Sequence, residues 1–293
     1  MRILFAEAEL RFVTVERDAR AEPGVWFEDQ VVGLGNAGFN SLISVIAGGN
    51  DALDRVLRWV ESHPGSERLD PKKFRLLAPI PRPPKIVCVG LNYRDHAAET
   101  GQAIPEVPTI FAKFPTAVTG PGHPVVLPKA SSKPDYEAEF AFVIGRGGRH
   151  IAEDRWRDHV FGYTIFNDVS ARDFQRATSQ WTMGKTFDTF APFGPWIVTA
   201  DEIEDPHQLD ISLTLNGETM QSSNTRNLIF GVPKLIAFLS SVFTLEPGDI
   251  VSTGTPAGVG FARKPPRYLQ PGDRMVARIE GIGALENPVV AES

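Results

Sequence analysis

A β-rich α+β fold, with a small α+β module ahead of a larger strand-built domain, is what this sequence predicts. Three observations carry the prediction. Short runs of β-branched and aromatic residues recur along the 293 residues, punctuated by 26 glycines and 24 prolines, the pattern of many strands joined by defined turns. Helical periodicity is sparse and does not alternate regularly with strands, which argues against a doubly wound parallel sheet. Finally, Ala78-Pro79-Ile80-Pro81-Arg82-Pro83-Pro84 reads as a stiff connector, because proline fixes φ and biases the preceding residue toward extended backbone. The domain boundary is placed there, giving a small N-terminal domain over 1–80 and a larger domain over 81–293.

Within the first module, residues 11–16 alternate as a short strand and residues 24–27 open another. Helical stretches follow near 41–46 and 51–61, separated by Gly48-Gly49-Asn50, with Asp51 placed to cap the second. Leu53, Val56, Leu57 and Val60 give that helix one apolar face. Nothing in the module suggests chemistry. Past the connector, residues 86–90 form a continuous apolar run, the mark of a buried strand. Further strands are expected at 125–127, 137–144, 162–166, 195–199, 211–215, 249–253 and 274–279. Two Pro-Gly-Asp turns, at 247–249 and 271–273, each open a strand, since Pro then Gly suits the centre of a type II turn. One clear helix is expected over 232–243, with Leu235, Ile236, Leu239 and Val242 on one face.

Composition narrows the function. The formal net charge is −6 and the isoelectric point about 5.6, which disfavours a nucleic-acid or anionic-membrane surface but leaves room for an anionic small molecule at a local Lys or Arg. The single cysteine, Cys88, lies in an apolar run and reads as buried packing. The opening residues MRILFAEAEL lack a long apolar stretch, and no run reaches membrane-spanning length. A cytoplasmic protein with neither nucleic-acid nor membrane partner is therefore expected.

Chemistry gathers around Asp135-Tyr136-Glu137-Ala138-Glu139-Phe140-Ala141-Phe142-Val143-Ile144-Gly145. Side chains alternate along a strand, so Glu137 and Glu139 share a face with Ala141 and Val143. The segment admits two readings, an exposed acidic edge or a partly buried pair of carboxylates around a hard divalent cation. Asp168 follows the strand-like Gly162-Tyr163-Thr164-Ile165-Phe166-Asn167 and is either a turn residue or a third oxygen ligand.

Four further groups of residues are candidates. In Asn92-Tyr93-Arg94-Asp95-His96-Ala97-Ala98-Glu99-Thr100-Gly101, a helical turn closed by Gly101 would put His96 and Glu99 on one face, as an ion pair or as an oriented general base. The following Gln102-Ala103-Ile104-Pro105-Glu106-Val107-Pro108 has the look of a lid. Lys185, in a partly apolar stretch, needs an anion if buried and otherwise pairs with Asp188. Arg172 and Gln175 follow Asp168 at helical spacing, which would bring them near the same site unless Arg172 is a surface ion-pair partner. Thr253-Gly254-Thr255-Pro256-Ala257-Gly258-Val259-Gly260 lacks the Gly-Lys-Ser/Thr ending of a phosphate loop. It is either a tight turn or a loop offering N–H groups and Thr255 to a small anion.

Taken in order, Val89-Gly90-Leu91-Asn92-Tyr93-Arg94-Asp95-His96, Asp135-Tyr136-Glu137-Ala138-Glu139, Asn167-Asp168-Val169-Ser170-Ala171-Arg172-Asp173, Gly184-Lys185-Thr186-Phe187-Asp188 and the glycine-rich loop resemble the fumarylacetoacetate hydrolase family over roughly residues 79–290. The resemblance implies a mixed β-sandwich roll and a homodimer, with residues 1–80 as the small extra domain of many bacterial members. It implies Glu137, Glu139 and Asp168 as ligands of Mg²⁺ or Mn²⁺, with Ca²⁺ as a further candidate. It implies His96 and Glu99 as a water-activating dyad, Lys185 as a charge stabiliser, and Arg172, Gln175 and Thr255 as substrate contacts.

The expected function is metal-dependent hydrolysis of a C–C bond in a short anionic 2,4-dioxo acid of acylpyruvate or fumarylpyruvate type. Decarboxylation of an oxaloacetate-like acid, or isomerisation or hydration of a dienoate, is the alternative on the same site. A non-catalytic metal-binding protein of this fold is the alternative of another class, and the intact His96, Glu99 and Lys185 stand against it. One segment departs from the family pattern. Ser223-Asn224-Thr225-Arg226-Asn227 supplies Arg226 where relatives often carry an acid, and if this loop lines the pocket the distal end of the substrate differs.

Overall fold

The computed structural model describes residues 10–27, 30–62, 68–69 and 74–293; residues 1–9, most of the stretch read for a leader, lie outside them. The architecture is the expected β-rich α+β, with few helices. Among the described residues, twelve strands form one sheet and five a second. Ala191–Thr199, Val160–Asn167, Ala138–Ile144, Ile250–Ser252, Ile86–Gly90 and Thr109–Lys113 follow one another across the larger sheet. The smaller sheet runs Glu218–Asn224, Asp210–Leu215, Arg274–Ile279, Gly283–Ala291, Val125–Leu127.

The Ala138–Ile144 strand is central and wholly buried. It pairs antiparallel with Val160–Asn167, Glu139 opposite Phe166, and on its other side with Ile250–Ser252, Ala141 opposite Ser252. Its alternation sorts it between two cores. Phe140, Phe142 and Ile144 pack with Leu213, Ala277, Leu235 and Leu239, from the smaller sheet and the long helix. Ala141 and Val143 pack with Phe12, Val25, Val56 and Phe193. Burying each large apolar side chain here contributes roughly 1.5–3 kcal/mol. Glu137 and Glu139, on the Ala141 face, sit where this second core ends.

The first module does not stand apart from this frame. Arg11–Arg17 pairs antiparallel with Ala191–Thr199, Phe12 opposite Ile197, so its strands extend the larger sheet past the proline connector. Its helices run Leu42–Ala47, with Ser41 and Ser44 forming a capping box, and Gly49–Ser62. Because the second helix starts at Gly49, Asp51 lies in its first turn and is not its cap. There its charge still favours the positive helix end. The long helix runs Val232–Val242 and buries Leu235, Ile236 and Leu239. Val242, expected on the same face, is 64% exposed, since the helix's last residue overhangs the core it has just left.

Candidate metal centre and its cleft

Each acidic candidate is held by backbone geometry that the local sequence sets. The Glu137 N–H donates to Asn167 Oδ1 at 3.0 Å, and the Asp168 N–H to Glu137 O at 2.8 Å. These bonds lock the start of one strand to the end of its neighbour. Glu137, Glu139 and Asp168 are all buried, and one oxygen from each lies within 4.8 Å of the others. Glu139 Oε2 accepts from Ser252 Oγ at 2.5 Å and from the Gly254 N–H at 2.8 Å. Gly254 has φ +96, and a Cβ there would lie 2.9 Å from Val89 O, so the loop can reach Glu139 only as glycine.

The positive charges form a matching layer. Lys185 Nζ lies 2.7 Å from Glu137 Oε2 and 2.5 Å from Asp168 Oδ2. Its partners are therefore Glu137 and Asp168 and not Asp188. Lys113 donates to Asp168 Oδ1 and to Val169 O, the latter at 2.9 Å. Arg172 Nη1 lies 2.5 Å from Glu137 Oε1, and its Nε donates to Asp135 Oδ2 at 2.8 Å. Burial works to raise the Glu137 pKa, but Arg172 and Lys185 overcome it and hold the carboxyl at about 2. Glu139 goes the other way. Burial pushes its carboxyl well above the usual range, and the charges of Asp168 and Glu137 add to the push. A divalent cation would relieve that repulsion, and an all-carboxylate donor set suits the hard ions Mg²⁺ and Mn²⁺. The residues fit such an ion.

His96 stands on the helix Arg94–Thr100, which Gly101 closes at φ 66. His96 Nδ1 lies 3.1 Å from Glu99 Oε2, and Glu99 Oε1 accepts from the Gly258 N–H at 2.8 Å. Glu99 thus orients the imidazole and ties its helix to the glycine-rich loop. Arg172–Gln175 is a separate four-residue helix preceded by the short strand Ser170–Ala171. Asp168 therefore does not share a helical face with Arg172 and Gln175; the sheet edge, not helical spacing, brings them together.

These elements enclose a cleft of about 300 Å³ lined by His96, Glu137, Glu139, Arg172, Gln175, Lys185 and Thr255. Asp168, fully buried, and Glu99 are not among the residues lining it. Arg172 gives Nη1 to Gln175 Oε1 as well, at 2.9 Å, yet its buried Nη2 has no partner. An orphaned, buried charged donor beside a cleft is a place for an anion. Thr255 Oγ1 donates to Ala138 O at 2.9 Å and accepts from Gln221 Nε2 at 2.8 Å, so its proton is committed to the loop–strand seam.

The sequence reading missed Asp135, Lys113, Arg176 and Phe261. Asp135 accepts from Gly260 N at 2.8 Å and Phe261 N at 3.1 Å besides holding Arg172. Lys113 carried one faint signal, a lysine at an inward position of Thr109-Ile110-Phe111-Ala112-Lys113. Arg226 does not reach the cleft; with Ser223, Asn224 and Asn227 it lines a separate groove beside Asp210 and Arg278.

Comparison with known proteins agrees with this geometry. A family model described as fumarylacetoacetate (FAA) hydrolase C-terminal matches residues 85–290. A relative named oxaloacetate tautomerase fahd2, mitochondrial, from Xenopus laevis is 49% identical over 244 residues, 83% of this chain and 76% of that protein. A solved fumarylacetoacetate hydrolase from the psychrophile Exiguobacterium antarcticum superposes with a TM-score of 0.84 at 39% identity, covering 97% of this chain and 100% of that one. A maleylpyruvate hydrolase from Sphingobium sp. SYK-6, solved with manganese(II) ion and pyruvate, gives a TM-score of 0.80 at 32% identity, covering 97% and 100%.

Proposed function

Because the chain belongs to the fumarylacetoacetate hydrolase family, we propose that it is a metal-dependent enzyme moving a proton between C3 and the C2 oxygen of a short 2-oxo acid of oxaloacetate type. The observation that carries this reading is His96, held by Glu99, lining the same small cleft as Glu137 and Glu139 of the buried triad. Its support among relatives is the oxaloacetate tautomerase at 49% identity.

Glu137, Glu139 and Asp168 would hold Mg²⁺ or Mn²⁺, which when bound supplies a positive charge for an enolate oxygen. The protein's own groups do the rest. Arg172 Nη2 and Gln175 receive the carboxylate next to the oxo group. Lys185, fixed by Glu137 and Asp168, faces the negative charge on the C2 oxygen. His96, held in one orientation by Glu99, accepts or delivers the C3 proton. In enol-to-keto conversion the hydroxyl proton leaves the C2 oxygen and one proton arrives at C3, so nothing else is consumed. The homodimer implied by the family belongs to this proposal, and sedimentation of the purified chain tests it.

A second reading, hydrolysis of a 2,4-dioxo acid, is favoured by the maleylpyruvate hydrolase neighbour that holds manganese and pyruvate. There His96 would deprotonate a water instead of carbon. Two assays with Mg²⁺ or Mn²⁺ separate the readings. The first follows the ultraviolet decay of enol-oxaloacetate; the second follows pyruvate release from oxaloacetate, acylpyruvates and fumarylpyruvate. Faster enol decay without extra pyruvate is expected. Pyruvate release with unchanged enol decay would replace the first reading by hydrolysis or decarboxylation. Metal binding with neither activity would leave a non-catalytic metal-binding protein.

A further inference from the structure

The deep end of the cleft has its charges almost matched. Asp135, Glu137, Glu139 and Asp168 face Lys113, Arg172 and Lys185, one negative charge in excess. A dication turns that excess into one positive charge, which a single carboxylate neutralises. A substrate with a second carboxylate needs another cation further out.

Arg176 is in that place. It lines the cleft, is exposed at its rim, and has no acidic partner among the described residues. It follows the Arg172–Gln175 helix, its N–H donating to Arg172 O at 3.1 Å. Its guanidinium carbon lies 4.2 Å from the Phe261 ring centroid, and that of Arg172 lies 4.6 Å from the same centroid. Phe261 is anchored in turn, because its N–H and that of Gly260 donate to Asp135, the acid that also holds Arg172. The ring gives Arg176 a seat, so less conformational freedom is lost on binding. Arginine also suits bidentate capture of a carboxylate.

We propose that Arg176, seated on Phe261, reads the second carboxylate of a short dicarboxylic 2-oxo acid and so sets the substrate class of this site. The inference rests on the reading of the cleft as a 2-oxo acid site. It also gives the distal reading role to Arg176 and not to Arg226, which lines another groove.

Calorimetry of the Mn²⁺-loaded protein with pyruvate and with fresh oxaloacetate tests it. The wild type should prefer the diacid by about tenfold, the scale of one charge-assisted hydrogen-bonded pair at a partly exposed rim. Arg176→Gln should erase that preference while leaving pyruvate binding within about twofold, and Phe261→Leu should reduce it in part. In turnover, Arg176→Gln should raise KM for the diacid far more than it lowers kcat, and Arg176→Lys should recover part of the loss. A preference that survives in Arg176→Gln, or equal weakening of both ligands, overturns the proposal. Wild-type protein that binds neither ligand overturns the 2-oxo acid reading beneath it, a result distinct from loss of preference alone.

Discussion

Glu139 on the floor of the cleft and Arg176 at its rim sit at opposite extremes of constraint. Glu139 lies on a central strand, paired on both sides, with its carboxylate fixed by Ser252 and the Gly254 N–H. Arg176 projects from beyond a four-residue helix and rests on one aromatic ring. The floor concentrates like charge where water cannot screen it, an arrangement that costs stability until a cation arrives. The rim keeps an exposed charge in reach of solvent, where each contact is worth little alone but can tell one substrate from another. On the proposed reading, the sheet carries the metal ligands that every substrate of the site shares, and Arg176, just beyond the Arg172–Gln175 helix, supplies the contact that distinguishes them.

The most direct way to break the comparison is to neutralise the floor. Glu139→Gln keeps the shape and removes the charge that Asp168 and Glu137 repel. Activity should fall by at least about a thousandfold, the scale of several kcal/mol of lost Lewis-acid assistance. In thermal melts the metal-free variant should unfold at a higher temperature than the metal-free wild type, because a buried repulsion is gone. Added Mn²⁺ should no longer raise its Tm. A metal-free variant that melts lower would mean that the floor is not strained by like charge.

Next in size is the dyad, which belongs to neither extreme. His96→Ala should lower kcat by roughly 10²–10⁴-fold with the Mn²⁺-induced Tm rise retained, since the imidazole's hydrogen-bond partner is Glu99 and not one of the three acids. Glu99 offers a finer cut. Glu99→Gln keeps an acceptor for the Gly258 N–H, whereas Glu99→Ala removes both that tie and the contact to His96. If orientation matters as well as charge, kcat should fall further in the alanine variant than in the glutamine variant. Equal losses would leave the loop tie without a role.

How much of this was legible follows the same division. The alternation of Glu137 and Glu139 against Ala141 and Val143 is a local property of a strand, and Asp168 ends the neighbouring strand, so the floor could be read from short segments. The His96–Glu99 pair is local too, three residues apart on one helix. What escaped depends on distant partners. Asp135 meets Gly260 across 125 positions and Lys113 meets Asp168 across 55. Arg11–Arg17 joins the same sheet as Ala191–Thr199, and no local pattern announces such pairings. Nothing in the local sequence singles out Arg176; its meaning comes from the Phe261 ring, brought to it from 85 positions away. Val242 was misplaced because periodicity states which way a residue points, not whether the core still extends beneath it.

A smaller effect is expected where floor and rim meet through packing alone. A Cβ on Gly184 would lie 2.3 Å from Gln175 N and 2.6 Å from Gln175 Cα. Gly184→Ala must therefore push the Thr182–Lys185 helix off the Arg172–Gln175 helix, at a stability cost of about 1–3 kcal/mol. It should lower kcat/KM by roughly ten- to a hundredfold through misplaced Arg172 and Lys185 while metal still binds. A variant that also lost metal binding would show that the floor depends on the rim helices.

The smallest expected change concerns Thr255, which the family resemblance makes a substrate contact and the hydrogen bonds make a seam between loop and strand. Its hydroxyl gives its proton to Ala138 O and accepts from Gln221 Nε2. Thr255→Ser preserves both bonds and should change kcat and KM by no more than about twofold. Thr255→Val preserves volume but leaves Ala138 O without that donor, at a cost on the order of 1–3 kcal/mol for an unsatisfied buried group, seen as a lowered Tm. If the hydroxyl serves the fold alone, the valine variant should lose stability and keep its KM at temperatures where it remains folded. A KM that rises with no fall in Tm would assign Thr255 to the substrate and extend the reading layer of the rim down to the edge of the metal floor.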